Sequence, residues 1–153
     1  MSELLIPIKE SFRFAFTVTL LPKLYKCDAT QQYDNTFVEI FLKIKCMSSA
    51  NQFVIVAELT KAFNIHYHGT IVMKLTKNCR KTFADSFRGS KLFGFVNIKE
   101  ITEPEIWHDY IIKDLTTTRE SINRPPIIYH DDTLHDLPSL TNLISSVSQC
   151  YEW

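Results

Sequence analysis

The chain has 153 residues, 45% of them apolar, and its 17 basic and 17 acidic side chains cancel to a formal net charge of zero. That size and composition suit one domain with its own core and argue against intrinsic disorder. A neutral total gives no support to indiscriminate nucleic-acid binding. No apolar run approaches the ~18 residues of a membrane-crossing helix, so no membrane partner is expected. Met1–Lys9 is too short and too acidic for a signal peptide. Cys27, Cys46, Cys79 and Cys150 show neither CxxC spacing nor a disulfide pattern, which predicts a reduced, intracellular protein.

Taken in order, residues 12–20 alternate and predict a first strand, stopped by Pro22. Residues 25–33 are polar and predict a loop. Thr36 and Glu39 have capping-box spacing, and Phe37, Phe41, Ile44 and Met47 recur at helical spacing, which predicts a helix over 35–47. Strands are expected over 52–59 and 65–75. Residues 78–88 read as a helix with Phe83 and Phe87 four apart, closed by Gly89, and 92–101 as a fourth strand.

Thr102-Glu103-Pro104-Glu105 has the form of a helix start and predicts a helix over 103–114. Beyond it, 115–121 is expected as a strand, Arg124-Pro125-Pro126 as a break, and 140–147 as a short helix. The order predicts an α+β fold, a ferredoxin-like, split βαβ antiparallel sheet with helices on one face and a site on the other. The expected organisation is a domain over 1–121 and an acidic tail over 122–153. Such a fold hosts many functions and decides none of them.

The chemistry centres on Asn64-Ile65-His66-Tyr67-His68-Gly69. Side chains alternate along a strand, so His66 and His68 share a face. If the preceding strand pairs through a turn near Ala62, Glu58 stands opposite His66. One carboxylate and two imidazoles then gather as three ligands for a divalent cation. Ile55, Ala57, Leu59, Ile65, Tyr67, Ile71, Met73 and Leu75 make the other face apolar, so the histidines lie away from the core. Tyr67 is expected to point into the core between them.

Tyr110 and Lys113, three apart, share a helix face. Beside a cation site they offer a hydroxyl nucleophile and a positive group for phosphoryl transfer; otherwise they are a packed tyrosine beside a solvated lysine. Trp107 is expected to pack against Tyr110, and His108 to lie on the surface. Between Lys74 and Lys91 six basic residues (Lys74, Lys77, Arg80, Lys81, Arg88 and Lys91) face one acid, Asp85. They read as contacts to a phosphate backbone or as a solvated helix face. His130–Asp136 reads as a polar loop.

With these residues in place, the sequence resembles the HUH endonuclease domain of rolling-circle replication initiators, the Rep proteins of circular single-stranded DNA viruses. Three motifs occur in the family's order over Phe16–Lys113: Phe16-Thr17-Val18-Thr19, His66-Tyr67-His68 and Tyr110-Ile111-Ile112-Lys113. The family's third metal ligand, a Glu on the preceding strand, falls on Glu58. The resemblance implies a single-tyrosine nickase and ligase acting on single-stranded DNA at a stem-loop origin. Glu58, His66 and His68 would hold Mg²⁺ or Mn²⁺, and Tyr110 would form a 5′-phosphotyrosine link. Lys113 would neutralise phosphate charge or steady the tyrosine and metal. Thr17 and Thr19 would lie near DNA by family position, or face solvent from a strand. A viral member would act in the host nucleus, with a helicase domain or a second copy of the chain as partner. No GxxxxGK[ST] loop occurs, so the chain is expected to be a nuclease domain alone or a short Rep-like protein. A non-catalytic ferredoxin-like module binding single strands through exposed aromatics is the alternative.

Overall fold

The computed structural model describes residues 11–49 and 52–130. Among these residues five antiparallel strands carry the fold: β1 (Ser11–Leu20), β2 (Phe53–Leu59), β3 (Ile65–Lys74), β4 (Phe93–Glu100) and β5 (Ile127–His130), in the order β4-β1-β3-β2-β5. Four α-helices accompany them among the described residues: α1 (Ala29–Met47), α2 (Cys79–Phe87), α3 (Pro104–Ile112) and α4 (Leu115–Ile122). This is an α+β, ferredoxin-like split βαβ sheet. No helix among the described residues is long and apolar enough to cross a membrane.

The alternation of β1 and β3 sorts side chains onto two faces. Phe14, Phe16, Val18 and Leu20 join Tyr67, Ile71 and Met73 in the main core, beneath Ile40 and Ile44 of α1 and Phe83 and Phe87 of α2. Tyr67 is fully buried, and its hydroxyl meets Thr36 at 2.7 Å. Gly69 lies on this face because the Phe16 ring occupies its side-chain space; a Cβ there would stand 2.5 Å from Phe16 Cζ. The other face carries a smaller cluster, Val54, Val56, Val72 and Ile127, covered by Ile111 of α3. Leu75, expected on the core face, is exposed.

Helix α1 starts six residues before the expected Asn35. Asp28 caps it, accepting from the Gln31 amide at 2.9 Å, and Gln31 stands at the third helical position, where a capping box wants Gln or Glu. The polar stretch that reads as a loop is polar for another reason. Gln32 is buried and holds the β2–β3 turn, donating to Asn64 Oδ1 at 2.9 Å and accepting from the Ile65 amide at 2.8 Å. Pro22–Lys26, before it, is a 3-10 helix.

Residues 115–121, expected as a strand, are helical. The β-branched run Thr116-Thr117-Thr118 favours extended backbone, but a helix buries Thr118 and Ile122 together, and Asn123 at φ 52° ends it in the left-handed region. Helix α3 correspondingly stops at Ile112 instead of Asp114. Its start has no side-chain cap; Glu103, not Thr102, is the capping position. The stretch read as an acidic tail from 122 supplies β5, which pairs with β2 from Phe53↔His130 to Val56↔Ile127. The helix expected over 140–147 and most of the His130–Asp136 loop lie outside the described residues.

Candidate metal and tyrosine site

The β2–β3 pairing sets Glu58 directly opposite His66 and Val56 opposite His68. The five-residue connection 60–64, with Thr60 N–H donating to the Asn64 carbonyl at 2.8 Å, fixes that register. Glu58, His66 and His68 thus converge, with one ligand atom from each lying within 4.8 Å of the others. Glu58 and His68 are buried and His66 is partly buried. Glu58 Oε2, His66 Nε2 and His68 Nε2 are buried without a hydrogen-bond partner. His66 Nε2 also stands 3.6 Å from Glu58 Oε1, beyond hydrogen-bond reach, and three buried polar atoms left without partners so close together are costly unless something joins them. The residues therefore fit a cation, and the group can hold a metal ion.

The electrostatics favour the ligand forms. Burial pushes the Glu58 carboxyl up, but His66 and Lys113 beside it outweigh that and hold it below its ordinary range, so it is a carboxylate. Burial, reinforced by neighbouring His66, pulls His68 down to about 4, so it is neutral at pH 7. Thr17 Oγ1 lies 2.8 Å from His68 Nδ1. Ligation through Nε2 needs the proton on Nδ1, and Thr17 Oγ1 stands where it can accept a hydrogen bond from that N–H.

Helix α3 brings the other groups. Trp107 donates from Nε1 to the Gly69 carbonyl and to Thr70 Oγ1, both at 3.2 Å. Trp107 and Tyr110 stack with centroids 5.8 Å apart, as expected of a packing support. The Tyr110 ring stands 5.7 Å from the His68 ring and is 47% exposed. Lys113 Nζ lies 4.1 Å over the Tyr110 ring and bonds Glu58 Oε1 at 2.8 Å. That bond raises the lysine against the opposing effect of burial, so it is firmly cationic. An open cleft of about 590 Å³ lies beside these groups, lined by Thr17, His68, Asn97, Lys99, Trp107 and Tyr110 among others.

His108 is not the surface residue expected. It is fully buried and its Nε2 meets Thr70 Oγ1 at 2.9 Å. A helix start so polar in sequence hid that its second turn faces the sheet.

Five residues are brought together: Glu58, His66, His68, Tyr110 and Lys113. Thr17 joins them through His68. Thr19 does not face them as a free hydroxyl; it is engaged with the backbone of Phe95. The basic residues are elsewhere. Arg80 and Lys81 are on α2, across the sheet from the histidines, and Lys81 and Arg88 pair with Asp85 at 2.9 and 3.1 Å. Lys74 shares the histidine face, but six residues along β3 from His68, about 20 Å. Lys77 precedes α2 and Lys91 precedes β4, both exposed. No protein-family model, curated protein or solved structure matches the chain.

Proposed function

We propose that the chain is a metal-dependent single-tyrosine endonuclease and strand transferase of the HUH type, acting on single-stranded DNA at a stem-loop origin to initiate rolling-circle replication. One observation carries this: a three-ligand cation site on two paired strands has a half-exposed tyrosine from a separate helix set edge-on beside it. A structural tyrosine has no need of solvent access, whereas a nucleophile does. The divalent ion implied is Mg²⁺ or Mn²⁺, suited to a mixed imidazole and carboxylate set, and when bound it supplies Lewis-acid polarisation of a phosphate.

The chain's own residues do the rest. Trp107 and Lys113 pack against the Tyr110 ring, which lines the cleft. Attack by the Tyr110 oxygen on phosphorus, its phenolic proton passing to water, forms the 5′-phosphotyrosine ester as the bond to the 3′ oxygen breaks; that oxygen leaves as a hydroxyl, taking up a proton from water. A later 3′ hydroxyl reverses the step and reseals the strand. Lys113, with an ammonium between Glu58 and the ring, offsets phosphate charge. Lys74, Lys77, Arg80, Lys81, Arg88 and Lys91 have at most a remote part in holding DNA, while Lys99 lies in the cleft.

The test is a covalent one. A library of labelled single-stranded stem-loops is incubated with protein and Mn²⁺ and run on a denaturing gel. A shifted protein–DNA band is expected from the wild-type chain, and none from Tyr110→Phe, His66→Ala or His68→Ala. An adduct persisting in Tyr110→Phe would overturn the assignment. A non-catalytic single-strand-binding module is the rival, favoured by the Lys113–Glu58 ion pair, which neutralises the acid without a metal. Metal-independent DNA binding with no adduct from any stem-loop would select it.

A further inference from the structure

Strand β4 breaks its own alternation. Phe93 is buried in the main core, yet Phe95, two residues on, is 64% exposed. A regular strand would put both on one face. The pairing with β1 explains the difference: Leu20 faces Phe93 and Val18 faces Val96, so Gly94 and Phe95 together stand against Thr19 alone. Thr19 clasps this bulge, its Oγ1 accepting from the Phe95 N–H at 2.9 Å and donating to the Phe95 carbonyl at 3.4 Å. Bulges re-aim side chains, and this one turns Phe95 onto the face of His66 and His68.

The registers locate it there. One row across the sheet runs Glu58, His66, Thr19 and on to Phe95; the next runs Val56, His68, Thr17 and Asn97. Phe95 and Asn97 therefore stand two strand spacings from the histidines, about 10 Å. Along β4, Phe95, Asn97 and Lys99 are exposed on that face at a repeat of about 6.8 Å. Asn97 and Lys99 also line the cleft that reaches Tyr110.

We propose that Phe95 is a stacking platform for one unpaired base of a single-stranded nucleic acid, with Asn97 at the base edge and Lys99 on the backbone. This rests on the reading of the site above for its choice of DNA strand. The order of chemistries favours that occupant: an aromatic face that any base can stack on, an amide that donates and accepts, then an ammonium for phosphate. An apolar protein partner is poorly served, because the exposed neighbours of Phe95 along β4 are Gly94, Asn97 and Lys99. Thr19, in this arrangement, is a positioning residue for the platform.

Binding is measured apart from cleavage. Fluorescence anisotropy of a labelled single-stranded oligonucleotide is followed with the full chain in EDTA, and adduct formation separately in Mn²⁺. Phe95→Ala should weaken binding about 5- to 150-fold, the range for loss of one base–aromatic stack, while Phe95→Trp retains it. Lys99→Ala should lower the slope of log affinity against log salt by about 0.7. Phe95 is exposed, so unchanged thermal unfolding is expected of both Phe95 variants. Binding unaltered by Phe95→Ala, with adducts still formed, overturns the platform and leaves the endonuclease standing. Weakened binding with no adduct from any protein supports the platform and removes the endonuclease. No single-strand binding by the wild-type chain overturns the platform outright.

Discussion

Replacing Thr17 with Val tests how the cation site is built. Val keeps the β-branched shape that a strand favours and swaps only the hydroxyl for a methyl. In the wild-type chain Thr17 Oγ1 lies 2.8 Å from His68 Nδ1, in a partly buried setting. Without it, His68 has two choices. It keeps the proton on Nδ1 and leaves that donor unsatisfied, at a cost of about 1–3 kcal/mol. Otherwise the proton moves to Nε2, and the atom that faces Glu58 and His66 ceases to be a ligand. Either way the binding-competent tautomer is disfavoured. Loss of such a supporting contact typically weakens metal affinity 10- to 100-fold, about 1.4–2.7 kcal/mol. Isothermal titration of Mn²⁺ into wild type, Thr17→Val and Thr17→Ser measures it; Ser restores the acceptor and should restore affinity. If Thr17→Val bound Mn²⁺ as tightly as wild type but lost DNA affinity, Thr17 would be a DNA contact and its role in orienting His68 would be wrong.

Three further outcomes follow from other parts of the molecule. Gly69→Ala forces a Cβ against Phe16 and the Val54 carbonyl, and overpacking of this kind should lower stability by about 1–3 kcal/mol in urea unfolding; an unchanged midpoint would refute the crowding. His108 is held neutral, its burial and then the Arg13 charge pulling it from 6.5 to about 4 against an opposing pull from Asp109. A folded-state value below the unfolded one means that the unfolded chain binds the proton first. His108's contribution, about 3 kcal/mol, is therefore complete above about pH 6.5 and is lost as pH falls toward 4. His108→Gln, still able to meet Thr70, should flatten that slope in urea midpoints taken across this window, and an equal slope in both proteins would count against it. Lys113→Met removes the ammonium that competes for Glu58, so Mn²⁺ should bind more tightly by calorimetry while adduct formation falls; weaker Mn²⁺ binding would mean that Lys113 supports the ligand set instead.

Much of the site is legible in sequence because strand registers are rigid arithmetic. Once β2 and β3 are joined by a short turn, the opposition of Glu58 and His66 follows, and a one-residue slip would put the histidines in the core. The apolar residues Ile55, Ala57, Ile65, Tyr67 and Ile71 forbid that slip, and all five are buried. What sequence does not reveal depends on partners distant along the chain. Gln32 looks like loop material until the β2–β3 turn is placed against it. Thr116-Thr117-Thr118 looks extended until Ile122 requires a helix to reach α1. The bulge at Gly94–Phe95 is invisible to a pattern of alternating residues, because Phe93 and Phe95 share a parity that only the break in pairing with β1 undoes. The basic run from Lys74 to Lys91 is a pattern in the chain but not a patch at the site, since α2 uses its apolar side to cover the opposite face of the sheet.

The ligands and the tyrosine are anchored by different cores. Glu58, His66 and His68 sit on strands whose reverse faces are locked by the main cluster, whereas Tyr110 depends on the smaller one beneath α3. A small apolar contact of this kind leaves a nine-residue helix free to slide, and the buried polar groups remove that freedom. Trp107 donates to Thr70 Oγ1, and the same hydroxyl meets His108 Nε2 at 2.9 Å; while His108 is neutral that pair can be made with either group as donor. These contacts of Trp107 and His108 with Thr70 fix the register of α3 on β3. Three residues beyond Tyr110, Lys113 reaches Glu58. The helix is held at its middle by Thr70 and just past its C-terminal end by the carboxylate of the metal site, and Tyr110 lies between these two anchors with its ring against His68.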